Sequence, residues 1–168
     1  MGSREEAQGN RCPQIIAADT HVDKTGGGPP LIVVVDDNEG VREVCVDGLR
    51  EAGYLVEGYA RGDEALRAVA RVAVAVLVVD WRMPGLDGVE VTRRARALTP
   101  GLRVLMITGN AREAAEPARS AGVDVLLTKP FDATELVSAV TALAEIGALT
   151  PTRIGGDQRE GSPRPAPP

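Results

Sequence analysis

Between residues 31 and 147 the apolar positions switch repeatedly between two rhythms. LIVVV (31–35) is an unbroken apolar run closed by Asp36-Asp37. After it, Val41, Val44, Cys45, Gly48, Leu49 and Ala52 recur at the spacing of one helix face. Gly53 ends that helix, since glycine is the residue that most easily closes a helix in the left-handed conformation. YLVEGY (54–59) reads as a second strand and GDEALRAVARV (62–72) as a second helix. VAVLVV (74–79) is another buried run, closed by Asp80. LDGVEVTRRARAL (86–98) follows as a helix with Val91, Ala95 and Leu98 inward. RVLMIT (103–108), AREAAEPARSAG (111–122), VDVLLT (123–128) and ATELVSAVTALAEIG (133–147) complete the series. Pro117 lies inside the fourth helical stretch. An interior proline loses a hydrogen bond and costs about 3 kcal/mol, so that helix is expected to be short, late-starting or mobile.

Five strand-helix pairs in order predict an α/β domain. Continuous β-branched runs indicate strands covered on both faces, as in a parallel sheet. Right-handed crossovers then give a doubly wound sheet, whose functional crevice lies beyond the carboxyl ends of the strands. The flanking segments differ. Residues 1–30 lack periodicity and end in GGGPP, which lacks the Lys-Ser/Thr of a phosphate-binding loop. Residues 148–168 are again rich in proline and glycine. Both are expected to be flexible tails around a domain spanning 31–147.

Composition narrows the function. Apolar residues make up 43 % of the 168, but aromatics only 2 %, so the core must be aliphatic. The net charge of −5 comes with no basic stripe or arm, which argues against nucleic-acid binding through phosphates. No window reaches the roughly 18 apolar residues of a membrane span, and a cytoplasmic location is expected. Cys12 and Cys45 are too far apart and too few for a metal site or a disulfide framework, and Cys45 falls on a buried helix face. His21, the sole histidine, lies in the leading tail and gives no footing to Ser-His or Cys-His catalysis.

The polar residues at the strand ends are the chemical signal. The first strand ends in Asp36 and Asp37, the third in Asp80, the fourth in Thr108 and the fifth at Thr128-Lys129. Any one aspartate there could simply cap the next helix. In a parallel sheet all of them emerge on one edge, where three carboxylates repel one another. An oxygen-only set of this kind suits Mg2+. Lys129 also stands out, because every basic residue of the 19 except Lys24 and Lys129 is arginine.

In VVVDDNEGVRE, VLVVDWRMPGLDGVEV, VLMITGNA and VDVLLTKPFD the chain resembles the receiver domain of two-component response regulators over about residues 31–147. The resemblance implies a (βα)5 flavodoxin-like fold with strand order 2-1-3-4-5. It implies Asp80 as phosphoacceptor, with Asp36 and Asp37 holding Mg2+, one directly and the other through water. Asp80 itself and the backbone carbonyl of Arg82 complete the metal ligands. It further implies Thr108 as the switch hydroxyl, Lys129 on the phosphoryl group, and a cis bond before Pro130. A sensor histidine kinase or histidine phosphotransfer protein would be the donor. A downstream partner would read the face of the fourth helix, fifth strand and fifth helix. The molecule would be a regulator rather than an enzyme, assisting only its own phosphoryl transfer and dephosphorylation.

Departures and alternatives remain. Leu126 stands where receivers often carry an aromatic residue or histidine. Arg82 and Asn110 flank the expected pocket as candidates for tuning hydrolysis. Arg82 also argues against a haloacid-dehalogenase-like phosphatase, which wants an aspartate there. The Arg93-Arg94-Arg96 cluster reads as a solvated helix face, Trp81 as a pocket-edge side chain, and Gly85, Asp87 and Gly88 as a turn and helix start. A phosphorylation-independent interaction module is the main competing reading. The roughly 20 residues after 148 are too few for a DNA-binding domain, so a stand-alone receiver or a piece of something larger is expected.

Overall fold

The apolar runs become a sheet because each is covered on both sides. The computed structural model describes residues 28–149. The expectations for the two tails, with Cys12, His21 and Lys24, lie outside the described residues. The strands are β1 (Leu31–Val35), β2 (Leu55–Tyr59), β3 (Val76–Asp80), β4 (Arg103–Thr108) and β5 (Val125–Thr128). They alternate with helices α1 (Glu39–Glu51), α2 (Gly62–Arg71), α3 (Gly88–Leu98), α4 (Ala111–Ala121) and α5 (Ala133–Leu149). All strand pairs are parallel, in the order β2-β1-β3-β4-β5. The doubly wound fold and its strand order are therefore as the sequence led us to expect.

Successive strand residues point to opposite faces, and the core divides accordingly. Ile32, Val34, Val76, Val78, Leu105 and Ile107 meet α1 and α5 through Cys45, Leu49, Leu136 and Val140. Val33, Val35, Leu77, Val79, Val104 and Met106 meet α2, α3 and α4 through Ala65, Val69, Val91, Ala95 and Ala118. Helix starts are set by short polar side chains that accept the otherwise orphaned first-turn N–H groups. Asn38 serves α1, Asp87 serves α3 and Asn110 serves α4. At α5, Asp132 and Glu135 exchange side-chain and backbone bonds as a capping box.

Several details correct the sequence reading. Val44 and Leu98, expected inward, are 55 % and 54 % exposed, and Ala52 is also exposed. Val46 takes the inward place on α1. Helix α4 is neither short nor late: it begins right after its Asn110 cap and runs 11 residues through Pro117 to Gly122, whose φ of 85° closes it. Its buried face of Ala114, Ala118 and Ala121 and its two sound ends hold the helix despite the lost bond. Arg96 is not part of a solvated face, because it pairs with Asp124, which also binds Arg103 and the Val104 N–H.

Candidate functional site

Strand register brings the site together. Val35 pairs with Val79, so Asp36, one residue on, lies level with Asp80 on the neighbouring strand. Thr108 ends β4 opposite Thr128, and Lys129 follows directly. By alternation, Asp36, Asp80 and Lys129 belong to the α1/α5 side of the sheet end, while Thr108 belongs to the α4 side. Asp36, Asp37 and Asp80 each bring a carboxylate oxygen within 4.8 Å of the others'. Asp36 and Asp80 are buried and Asp37 is exposed. The convergence expected of these residues is present.

Lys129 sits between the two buried carboxylates. Its Nζ donates to Asp80 Oδ1 at 2.7 Å and to Asp36 Oδ2 at 3.2 Å. The other oxygens take backbone donors: Asp80 Oδ2 accepts from Arg82 N at 2.9 Å and Asp36 Oδ1 from Asn38 N at 2.8 Å. Asp36 is thus a ligand of the loop, and the helix cap is Asn38. The Lys129-Pro130 bond is cis.

The charge balance is uneven. Three carboxylates cluster here, and the Lys129 ammonium pairs with Asp36 and Asp80. Burial pushes the Asp80 carboxyl above its usual range; Lys129 and the Arg82 N–H pull it back, while the Asp36 charge adds to the rise. Burial works against the Lys129 charge, yet the bonds and charges of Asp80 and Asp36 outweigh it and hold Lys129 above its ordinary value. The lysine is over-partnered and Asp80 under-partnered. A hard divalent cation with oxygen ligands restores the balance, so the donor set fits Mg2+.

Beside Asp80 opens a cavity of about 370 Å³, lined by Trp81, Arg82, Thr108, Gly109, Asn110 and Lys129. Thr108 is buried, and its Oγ1 accepts the Asn110 N–H at 3.0 Å. Trp81 is at the pocket edge, as expected, with the Arg82 guanidinium 4.2 Å from the centre of its ring. Gly88 holds α3 against this loop. Its N–H donates to Trp81 O at 2.9 Å, and a methyl group in its place would collide with the Asp80 carbonyl. Gly85, at φ 82°, makes the turn before it.

Two features escaped the sequence reading. Glu113 bonds Arg82 across the cavity mouth at 3.0 Å, between residues 31 apart, and no local pattern announces the pair. A second, apolar groove runs from Val41 and Val44 to Pro130 and Phe131, sharing Lys129 with the first cavity. No local signal announced it, because Val44 fits the buried stripe by its spacing and is exposed only in the fold.

Comparison with known proteins agrees with this geometry. A family model described as the response regulator receiver domain matches residues 32–141. The response regulator receiver protein CpdR of Brucella abortus is 34 % identical over 110 residues, covering 65 % of this chain and 92 % of CpdR. Response regulator MprA of Mycobacterium leprae is 41 % identical over 113 residues, covering 67 % of this chain and 50 % of MprA. The chain thus spans nearly all of one relative and half of the other. A CheY-like receiver domain structure from Methanospirillum hungatei superposes with a TM-score of 0.69 at 25 % identity, covering 73 % of this chain and 98 % of that one.

Proposed function

The chain belongs to the response regulator receiver domain family, and on that premise we propose that it is the phosphoacceptor switch of a two-component phosphorelay, with Asp80 taking the phosphoryl group. The observation that supports this best is the meeting of Asp36, Asp37, Asp80 and Lys129 from three strand ends, beside a cavity that Asp80 and Lys129 line.

The residues divide the work. Asp36, Asp37, Asp80 and the Arg82 backbone carbonyl would hold Mg2+. When bound, the ion offsets the crowded carboxylates and stabilises charge on the transferring group. A carboxylate oxygen of Asp80 forms the new P–O bond while the donor's bond to phosphorus breaks; from phosphohistidine, the electron pair leaves with the imidazole. Lys129 already touches Asp80 and needs only a short shift to meet a phosphoryl oxygen. A compact ammonium suits two partners in turn, where arginine's planar fork recognises one carboxylate bidentately. The Thr108 hydroxyl can trade the Asn110 N–H for a bond donated to the phosphoryl group, moving the loop before α4. A partner would then read the α4–β5–α5 face. The donor is a sensor histidine kinase or a histidine phosphotransfer protein. No helix among the described residues is long and apolar enough to cross a membrane, and a cytoplasmic setting fits such a switch.

Incubation with acetyl phosphate and Mg2+, followed by intact mass measurement, tests the reading. One phosphoryl adduct is expected on the wild type and none on Asp80→Ala. A wild type that never takes the adduct would leave the phosphorylation-independent interaction module as the better reading.

A further inference from the structure

Arg82 is tied at both ends. Its backbone N–H holds Asp80 Oδ2 at 2.9 Å. Its guanidinium lies over the Trp81 ring and reaches Glu113, in the first turn of α4. A side chain anchored beside the reacting carboxylate therefore grips the helix across the cavity. The Arg82–Glu113 pair is 71 % and 59 % exposed at its two side chains, and pairs so exposed are weak and easily exchanged.

Phosphorylation changes the competition for that cation. An aspartate carries one negative charge and a phosphoaspartate about two, with three strong acceptor oxygens. Among the described residues, Arg82 and Lys129 are the only cationic side chains lining the cavity, and Lys129 is already shared by Asp36 and Asp80. Arginine makes charge-assisted, often bidentate bonds to phosphate as it does to carboxylate, and the phosphoryl group offers more negative charge and more acceptor oxygens than the Glu113 carboxylate. Within β5, Leu126 has no polar group with which to sense the added charge.

We propose that Arg82 and Glu113 form a charge-exchange strap: in the unmodified chain the guanidinium holds the first turn of α4, and on phosphorylation it turns to the phosphoryl group and lets that turn go. The proposal rests on Asp80 being the phosphoacceptor. It makes Glu113 a positioning residue, outside the chemistry, and gives α4 a second release beside the Thr108–Asn110 bond. Both ties act on the same end of the helix, where Asn110 also caps Glu113 N.

The test is amide hydrogen exchange over residues 111–116 in wild type, Glu113→Gln, Arg82→Gln and the double variant. Each is measured before and after acetyl phosphate treatment, with adduct occupancy read by intact mass. In the unmodified proteins, each single variant is expected to exchange faster than wild type, by up to about 5-fold, the ratio an exposed ion pair can support. The double variant should be no faster than either single. Phosphorylation should accelerate wild type most, and all three variants by the same smaller factor left to Thr108. Equal exchange in unmodified wild type and Glu113→Gln would overturn the strap. So would an acceleration on phosphorylation as large in the variants as in wild type. A missing adduct on wild type removes Asp80 as acceptor and the strap with it, whereas an adduct without change in α4 removes only the strap.

Discussion

Lys129 is one of two lysines among 19 basic residues, and its contacts give the chemical reason. It spans from Asp36 to Asp80 with a single nitrogen, a task for a point charge rather than a planar fork. Lys129→Arg should leave the fold intact and slow adduct formation from acetyl phosphate by about 100-fold, the low end of what losing one preorganised electrostatic contact costs. An unchanged time course by intact mass would contradict this. Cys45 makes a separate prediction about pH. Burial, with Asp36 adding and Lys129 opposing, pushes its thiol from 9.0 up to about 11. The folded chain keeps the thiol neutral where the unfolded chain ionises it. That contribution to stability is complete below pH 9 and is lost as pH rises from 9 to 11. Denaturant unfolding of wild type against Cys45→Ala should show the difference shrinking across that window. A difference constant to pH 11 would refute the assignment.

Helix α4 shows how an element survives an unfavourable residue. Pro117 removes one helical bond, yet the Asn110 cap, the Gly122 closure and three buried alanines preserve the full span. Pro117→Ala should restore the bond and raise stability by about 1–3 kcal/mol, seen as a thermal midpoint several degrees higher. A lower midpoint would mean that the proline contributes packing outweighing its cost. The starts of α1 and α3 were legible only to within about two residues: the apolar pattern put them at Val41 and Leu86, while the caps Asn38 and Asp87 set them at Glu39 and Gly88. The inward faces were less legible. Leu98 is the last residue of α3 and Ala52 the C-cap of α1, and both are exposed although they keep the helix spacing.

Across the whole molecule, the apolar groove and the charged cavity meet at Lys129. A protein donor resting in the groove would bring its phosphohistidine to Asp80, whereas a small donor needs no groove. Val44→Asp should therefore cut phosphotransfer from a cognate kinase by about 10-fold or more, in the range of a buried interface residue, and leave acetyl phosphate labelling unchanged; equal losses with both donors would place the defect in the pocket. The hydrophobic rhythm alone decided that strands and helices alternate, and parallel pairing then obliges every strand to present its last residues on one edge. Asp36, Asp80, Thr108 and Lys129 could be grouped from the chain for that reason. Partnerships such as Arg82 with Glu113 and Arg96 with Asp124 had to await the folded molecule. They join residues 31 and 28 positions apart, and their reach depends on loop paths and helix placement. Periodicity reports only which face of its own element a residue occupies. It carries no distance to another element, so contacts between elements are set when the layers pack.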